Sequence, residues 1–225
     1  MNAWDVLIDA TQELCDDVQP RFSNWIANDA LPALFEAGVY LEVTDADHIE
    51  ACGGWFCDGV EDGEPVLAIA TGNDTWAETF MHEWNHFQQW QDHADVWTAG
   101  RLPDGTNGSD LITLWYDGFV ELKRDHLEMY FAPILAVELD CEIRTAKMIQ
   151  DLDLPFDVEL YTRQANSYLY GHAELRRRRR WFSVGAAPYR VPALVAEMPS
   201  DFVTHTYTTD PLPTHLQRLF DPCFA

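Results

Sequence analysis

Lysine is almost missing from this chain. Lys123 and Lys147 are its whole complement, and with arginine they bring the basic residues to 14 against 38 acids, a net charge of -24. Nucleic-acid backbones are gripped by clustered Lys and Arg, so this deficit argues against a nucleic-acid partner. A surface of that charge suits a salty environment, solubility, a basic partner, or imitation of the phosphate field of DNA; most often it is simply a solvated acidic face. Long apolar runs are lacking too, and no window approaches a membrane span. The N-terminal stretch MNAWDVLIDATQELCDDVQPRF carries acids among its apolar residues and has no basic leader pattern. The expectation is a soluble, cytoplasmic protein without a membrane partner. Cysteine is sparse and odd in number: Cys15, Cys52, Cys57, Cys141 and Cys223 fit free thiols rather than a disulfide framework. Cys52 and Cys57 have no second pair at zinc-ribbon spacing and read as buried small hydrophobes.

What is present is enough for a full core without staples at 225 residues. The first 50 residues read as helix in two pieces punctuated by Pro20 and Pro32. GGWFCDGVEDGEPVLAIATG then reads as a β-hairpin, with the acidic turn Glu61-Asp62-Gly63-Glu64 and an apolar strand from Val66 to Ala70. Residues 101 to 110 are the clearest loop. From 111 to about 182 the pattern is helical, with breaks expected near Pro133 and Pro155. The remainder is Pro-rich and irregular, with a short strand expected around Phe202 to Tyr207. One α+β domain over 1–225 follows, mainly helical with a small sheet or hairpin before the motif helix. Its core spans about 50–182, preceded by a helical segment over 1–50 and followed by an irregular segment over 183–225.

The motif is His82-Glu83-Trp84-Asn85-His86, in AETFMHEWNHFQQWQD. Thr75-Trp-Ala-Glu78 spells a capping box, which starts a helix at Trp76 that runs to about Asp92. On that helix His82, His86, Gln89, His93 and Glu78 share a face, while Phe80, Trp84, Phe87 and Gln91 lie opposite. Two imidazoles one turn apart can reach one ion, and a glutamate after the first histidine can take a proton from the attacking water. With this composition the pattern arises by chance in roughly two chains in a hundred, so its context on a capped helix after a strand carries weight. The expected cofactor is zinc (Zn2+), held by His82 and His86 with Glu83 as general base.

A third ligand is expected downstream. In ILAVELDCEIRTAKMI, Glu138 and Glu142 stack on one helical face, and like charges at that spacing coexist better beside a cation. Together, the HExxH and Glu138-Leu-Asp-Cys-Glu142 resemble the gluzincin branch of zinc metallopeptidases, whose Glu-x-x-x-Asp helix supplies the third ligand. Small uncharacterised HExxH proteins of tailed phages are similar as well. The resemblance covers about residues 65 to 150 and implies a zincin-like fold, with Glu138 as third ligand and Glu142 as the acid behind it that orients a histidine. Glutamate stands at 142 where the family has aspartate, which leaves the choice between Glu138 and Glu142 open; Ala146, four residues on, would have nothing to donate if Glu142 were the ligand. A metzincin pattern would need glycine at Gln89 and a ligand at Asp92, which the continuing helix would point away. Zincins add a Tyr or His for the oxyanion, and Tyr168 and His172, with Tyr170 and Asn166 close by, offer such donors.

Arg176 to Arg180 form the one basic run. Five consecutive helical residues sweep every face, so intramolecular pairing with the abundant acids is expected. The leading expectation is therefore a zinc metallopeptidase that acts on peptide or protein substrates, basic ones in particular, laid along Val66 to Ala70 as an edge strand. The alternative is a non-enzymatic acidic interaction protein of DNA-mimic or decoy type, with a structural or vestigial metal site.

Overall fold

The computed structural model describes residues 3–11, 19–49, 52–59, 63–101, 107–154, 156–203, 207 and 212–225. Residues 102–106 of the expected loop at 101–110, residues 61 and 62 of the acidic turn, and Pro155 lie outside them. The class is α+β, with many helices and one three-stranded sheet. The chain forms two compact units, one of Met1–Asp92 with Arg144–Phe156, the other of His93–Ile143 with Asp157–Ala225.

The first unit opens with helices α1 (Ala3–Thr11), α2 (Gln19–Trp25) and α3 (Leu31–Glu36), the last two joined by a π-helical turn at Ile26–Ala30. Pro20 and Pro32 each sit in a first helical turn, where no backbone N–H is needed. Strand β1 (Tyr40–Thr44) then pairs parallel with β3 (Val66–Ala70), and β2 (Gly54–Cys57) pairs antiparallel with β3. The expected hairpin is therefore present, while β1 lies in a stretch whose sequence reads as helical. The order β1-β3-β2 puts Val66–Ala70 in the centre of the sheet, which corrects its expected place at the edge. Its continuous apolar run explains why: Leu67, Ala68, Ile69 and Ala70 are wholly buried, as a strand covered on both faces requires. At the start of β2, a Cβ on Gly54 would stand 2.8 Å from the Ala68 carbonyl oxygen, so only glycine fits. Cys57, at the other end, is exposed rather than buried, and Cys52 is half-buried.

Helix α4 (Trp76–Gln91) follows β3 directly. Its N-terminus is not the expected capping box: the Thr75 hydroxyl donates to Asn73 Oδ1 at 3.0 Å, and the Asn73 amide bridges the Ala70 and Asp47 carbonyls. The aromatic face of α4 meets α2. Trp25 sits edge-on to Trp84 at 5.6 Å and to Phe80 at 5.8 Å, and Phe22 edge-on to Phe80 at 6.4 Å. Such pairs add about 0.5–1.5 kcal/mol each beyond their buried area.

The second unit holds α5 (Asp95–Ala99), α6 (Gly108–Tyr116) and most of α7 (Arg124–Asp151), whose last two turns belong to the first unit. Pro133 lies within α7 without ending it, contrary to expectation. Proline in a helix interior costs about 3 kcal/mol, and a helix of 28 residues with buried positions on both sides of it offsets that through packing. Helix α8 (Val158–Arg178) starts where Asp157 accepts from the Leu160 N–H and stops at Arg179, which adopts the left-handed conformation at φ 49°. The C-terminal region forms short helices, α9 (Pro192–Ala196) and α10 (Thr214–Leu219), and 3-10 turns at Pro188–Arg190 and Asp221–Phe224. Phe202 and Val203 are not in a strand; 204–206 lie outside the described residues.

The arginine run is consumed by this unit. Arg176 pairs with Glu128, Arg177 and Arg178 both grip the buried Glu174, Arg178 also reaches Asp221, and Arg179 takes Glu121 and two backbone carbonyls. Arg178 stacks over Phe224 at 4.4 Å and Arg179 over Trp115 at 5.1 Å. The run staples C-terminal and helical segments, as intramolecular pairing required.

Candidate metal centre

The motif histidines face one another on α4. Their Nε2 atoms are 3.0 Å apart, with ring centroids at 4.6 Å and planes nearly perpendicular. His86 is buried and His82 half-buried. His86 Nδ1–H donates to Gln89 Oε1 at 2.9 Å, which leaves its Nε2 with a lone pair; His82 Nε2–H fills that lone pair. Gln89 is wholly buried, one turn beyond His86. A partner on the far ring nitrogen is what orients a ligating histidine. Glu83, between the pair, is 7% exposed. Next to it, Asn85 donates to Thr145 Oγ1 at 3.1 Å and to the Met81 carbonyl.

The remaining polar positions of α4 divide. Glu78 is half-buried, and burial holds its carboxyl above the ordinary carboxylate range, with a smaller contribution from Asp74. His93 lies past the helix end at φ 51°, exposed. Asp92 pairs with Arg144 at 3.0 Å, so the metzincin-like position is engaged in an ion pair.

On α7, Cys141 is wholly buried one turn before Thr145. Its thiol is a donor of a kind that binds metal ions, as are the imidazoles of His82 and His86 on α4. Glu138 is half-buried, with one carboxylate oxygen shielded from solvent, and it stands close enough to His172 on α8 to raise that imidazole's pKa. Burial dominates in the opposite direction and keeps His172 below its ordinary value, hence neutral at pH 7. Glu142 is buried and accepts from the Tyr161 hydroxyl at 2.5 Å.

The expected oxyanion donors are adjacent: Tyr168 lies edge-on to His172 at 5.1 Å. Tyr170 belongs instead to the core, against Tyr207 at 5.0 Å. Asn166 holds the Pro199 and Asp201 carbonyls and accepts from the Tyr207 hydroxyl, so its polar atoms serve the fold.

Comparison with protein-family models, curated proteins and solved structures finds no match. Among the described residues no helix is long and apolar enough to cross a membrane. Sequence reasoning misses two contributors. Gln89 falls on the right face, and its spacing of three from His86 is the signal of a hydrogen-bond partner. Cys141 reads only as a free thiol, although it falls between the two glutamates under consideration.

Proposed function

We propose that this chain is a zinc-dependent hydrolase of peptide bonds. The observation that supports the reading most is the pairing of His82 and His86 at 3.0 Å with the buried Glu83 between them. Two nitrogens about 2.0–2.1 Å from a tetrahedral ion stand about 3.3 Å apart, so the imidazoles need to open by only a few tenths of an ångström. The donor set fits zinc: two imidazoles, one oriented by Gln89, completed in this proposal by a side chain of α7. For that third place α7 carries both the Cys141 thiol and the Glu138 carboxylate, and the gluzincin pattern favours Glu138. Zinc in such a site polarises carbonyl groups and brings the pKa of water near 7.

Glu83 is the general base: it takes a proton from the attacking water and passes it to the leaving amine. Tyr168 and His172 are assigned as hydrogen-bond donors to the carbonyl oxygen as it gains charge. A zincin-like fold is part of the same proposal. An extended peptide would lie on an outer strand, and β2 is the edge that packs on α4. The net charge of -24 draws basic peptides toward the protein.

Elemental analysis and zinc titration of the purified protein test the reading. Wild type should carry about one zinc per chain, and His82→Ala combined with His86→Ala should carry none. Equal zinc in the double variant, or none in wild type after reconstitution, would remove the proposal.

A further inference from the structure

The hydrogen bond between the two motif histidines joins like atoms, Nε2 to Nε2 at 3.0 Å. A neutral imidazole carries one N–H, on either ring nitrogen, so this bond alone leaves open which ring supplies the shared proton. Gln89 breaks the tie. Its Oε1 stands 2.9 Å from His86 Nδ1, and an amide oxygen only accepts, so the His86 proton is on Nδ1 and the shared proton belongs to His82. Residues three apart on a helix are neighbours, which lets Gln89 reach back one turn. Burial makes the preference firm: Gln89 is wholly buried and His86 is 7% exposed, so water competes little for this bond. His82, half-buried, has no such shelter. The two histidines of the motif are therefore not equivalent.

Resting on the zinc reading above, we propose that Gln89 is a positioning residue that fixes the order in which the histidines act: His86 is the standing ligand and His82 the one that rearranges. His86 holds a lone pair on Nε2 before any ion arrives, in the orientation that Gln89 sets. His82 offers its own Nε2 only after the proton there has passed to solvent while solvent supplies one to Nδ1, so the ring stays neutral and the proton count is unchanged. The neutrality of Gln89 matters as much as its position. A carboxylate at that distance would favour the imidazolium, whose second N–H would point at the place of the ion and whose charge would repel it. An amide selects the tautomer without adding charge, and it does not ionise. All three side chains lie on α4 within the first unit.

Nitrogen-15 NMR of the metal-free full chain, at about pH 8 and so above the ordinary histidine range, reads the tautomers directly. In wild type the His86 proton is expected on Nδ1 and the His82 proton on Nε2, with the signals assigned by their loss in His86→Ala and His82→Ala. Gln89→Leu should populate both tautomers of His86 and weaken zinc about 10- to 100-fold in competition with a coloured chelator. A purely structural role for Gln89 would leave the His86 tautomer where it is. Wild type that takes up zinc with the His86 proton on Nε2, or zinc affinity in Gln89→Leu equal to that of wild type, overturns the role of Gln89 alone. Wild type that shows the Nδ1 proton yet takes up no zinc overturns the zinc reading, and the order of ligands with it. Should Gln89→Leu fail to fold, the wild-type spectrum and zinc uptake decide.

Discussion

Two short motifs invite a functional reading, and the structure treats them in opposite ways. The arginines at 176 to 179 find carboxylates and carbonyls supplied by their own unit, Glu174 buried beneath two of them. The histidines at 82 and 86 find each other. A guanidinium beside a buried carboxylate is a satisfied pair whose purpose is structural. Two imidazoles aimed tip to tip, one of them locked by Gln89, make a single hydrogen bond where a cation would accept both nitrogens. What marks the histidine pair as a chemical motif is that two metal-binding nitrogens already converge on one point.

The largest effect expected from that contrast is on turnover. Glu83→Gln keeps the shape of the side chain and removes its basicity, so hydrolysis of a casein or peptide-library substrate should fall by about 10² to 10⁴-fold. Zinc content should stay at the wild-type level, measured on the same preparation. Wild-type turnover in this variant would show that Glu83 is not the base.

On the stapling side, Glu174→Ala should cost about 1.5–3 kcal/mol, because it removes the buried carboxylate that Arg177 and Arg178 share, while Arg178 keeps Asp221. Urea unfolding gives the number. A loss below about 0.5 kcal/mol, the scale of surface pairs, would mean that the run is solvated and the contrast fails.

How far the sequence allows this to be read follows from the range of the interactions. The motif helix is legible because its signals are local: aromatics at helical spacing, histidines one turn apart, a strand just before. The fate of the arginines is legible from charge balance alone. Strand β1 is not, since Tyr40–Thr44 becomes a strand only through parallel pairing with residues 26 positions away. Helix α7 running through Pro133 escapes for a related reason: local preference favours a break, and packing decides against it. The start of α4 falls at the expected residue for a different cause, since Asn73 rather than Glu78 engages Thr75. Cys141 is easily overlooked because the family pattern directs attention to carboxylates.

The Cys141 position sharpens the contrast further. If its thiolate is the third ligand, Cys141→Ser should weaken zinc binding by more than about 100-fold, whereas Glu138→Ala, removing a group beside His172, should change affinity by about tenfold or less. Competition with a coloured chelator ranks the two. The reverse order would hand the ligand role to Glu138, as the gluzincin pattern has it.

The smallest effect concerns the C-terminal segment that the arginines hold in place. Cys223 is wholly buried in the second unit's core, its carbonyl accepting from the Ser183 N–H, with Arg178 nearby. Burial pushes its thiol from 9.0 up to about 11, and Arg178 only partly opposes this. A thiol whose pKa is raised by folding contributes its full stability below pH 9, where folded and unfolded chains alike keep the proton. Between pH 9 and about 11 the unfolded chain releases that proton and the folded one does not, so stability must fall with rising pH, by at most about 1.4 kcal/mol per pH unit for one group. Urea midpoints measured across that window should drop in wild type and drop less in Cys223→Ala, which has nothing to ionise. Identical slopes in the two proteins would show that Cys223 stays in contact with water, and that the arginine run does not seal the segment beneath it.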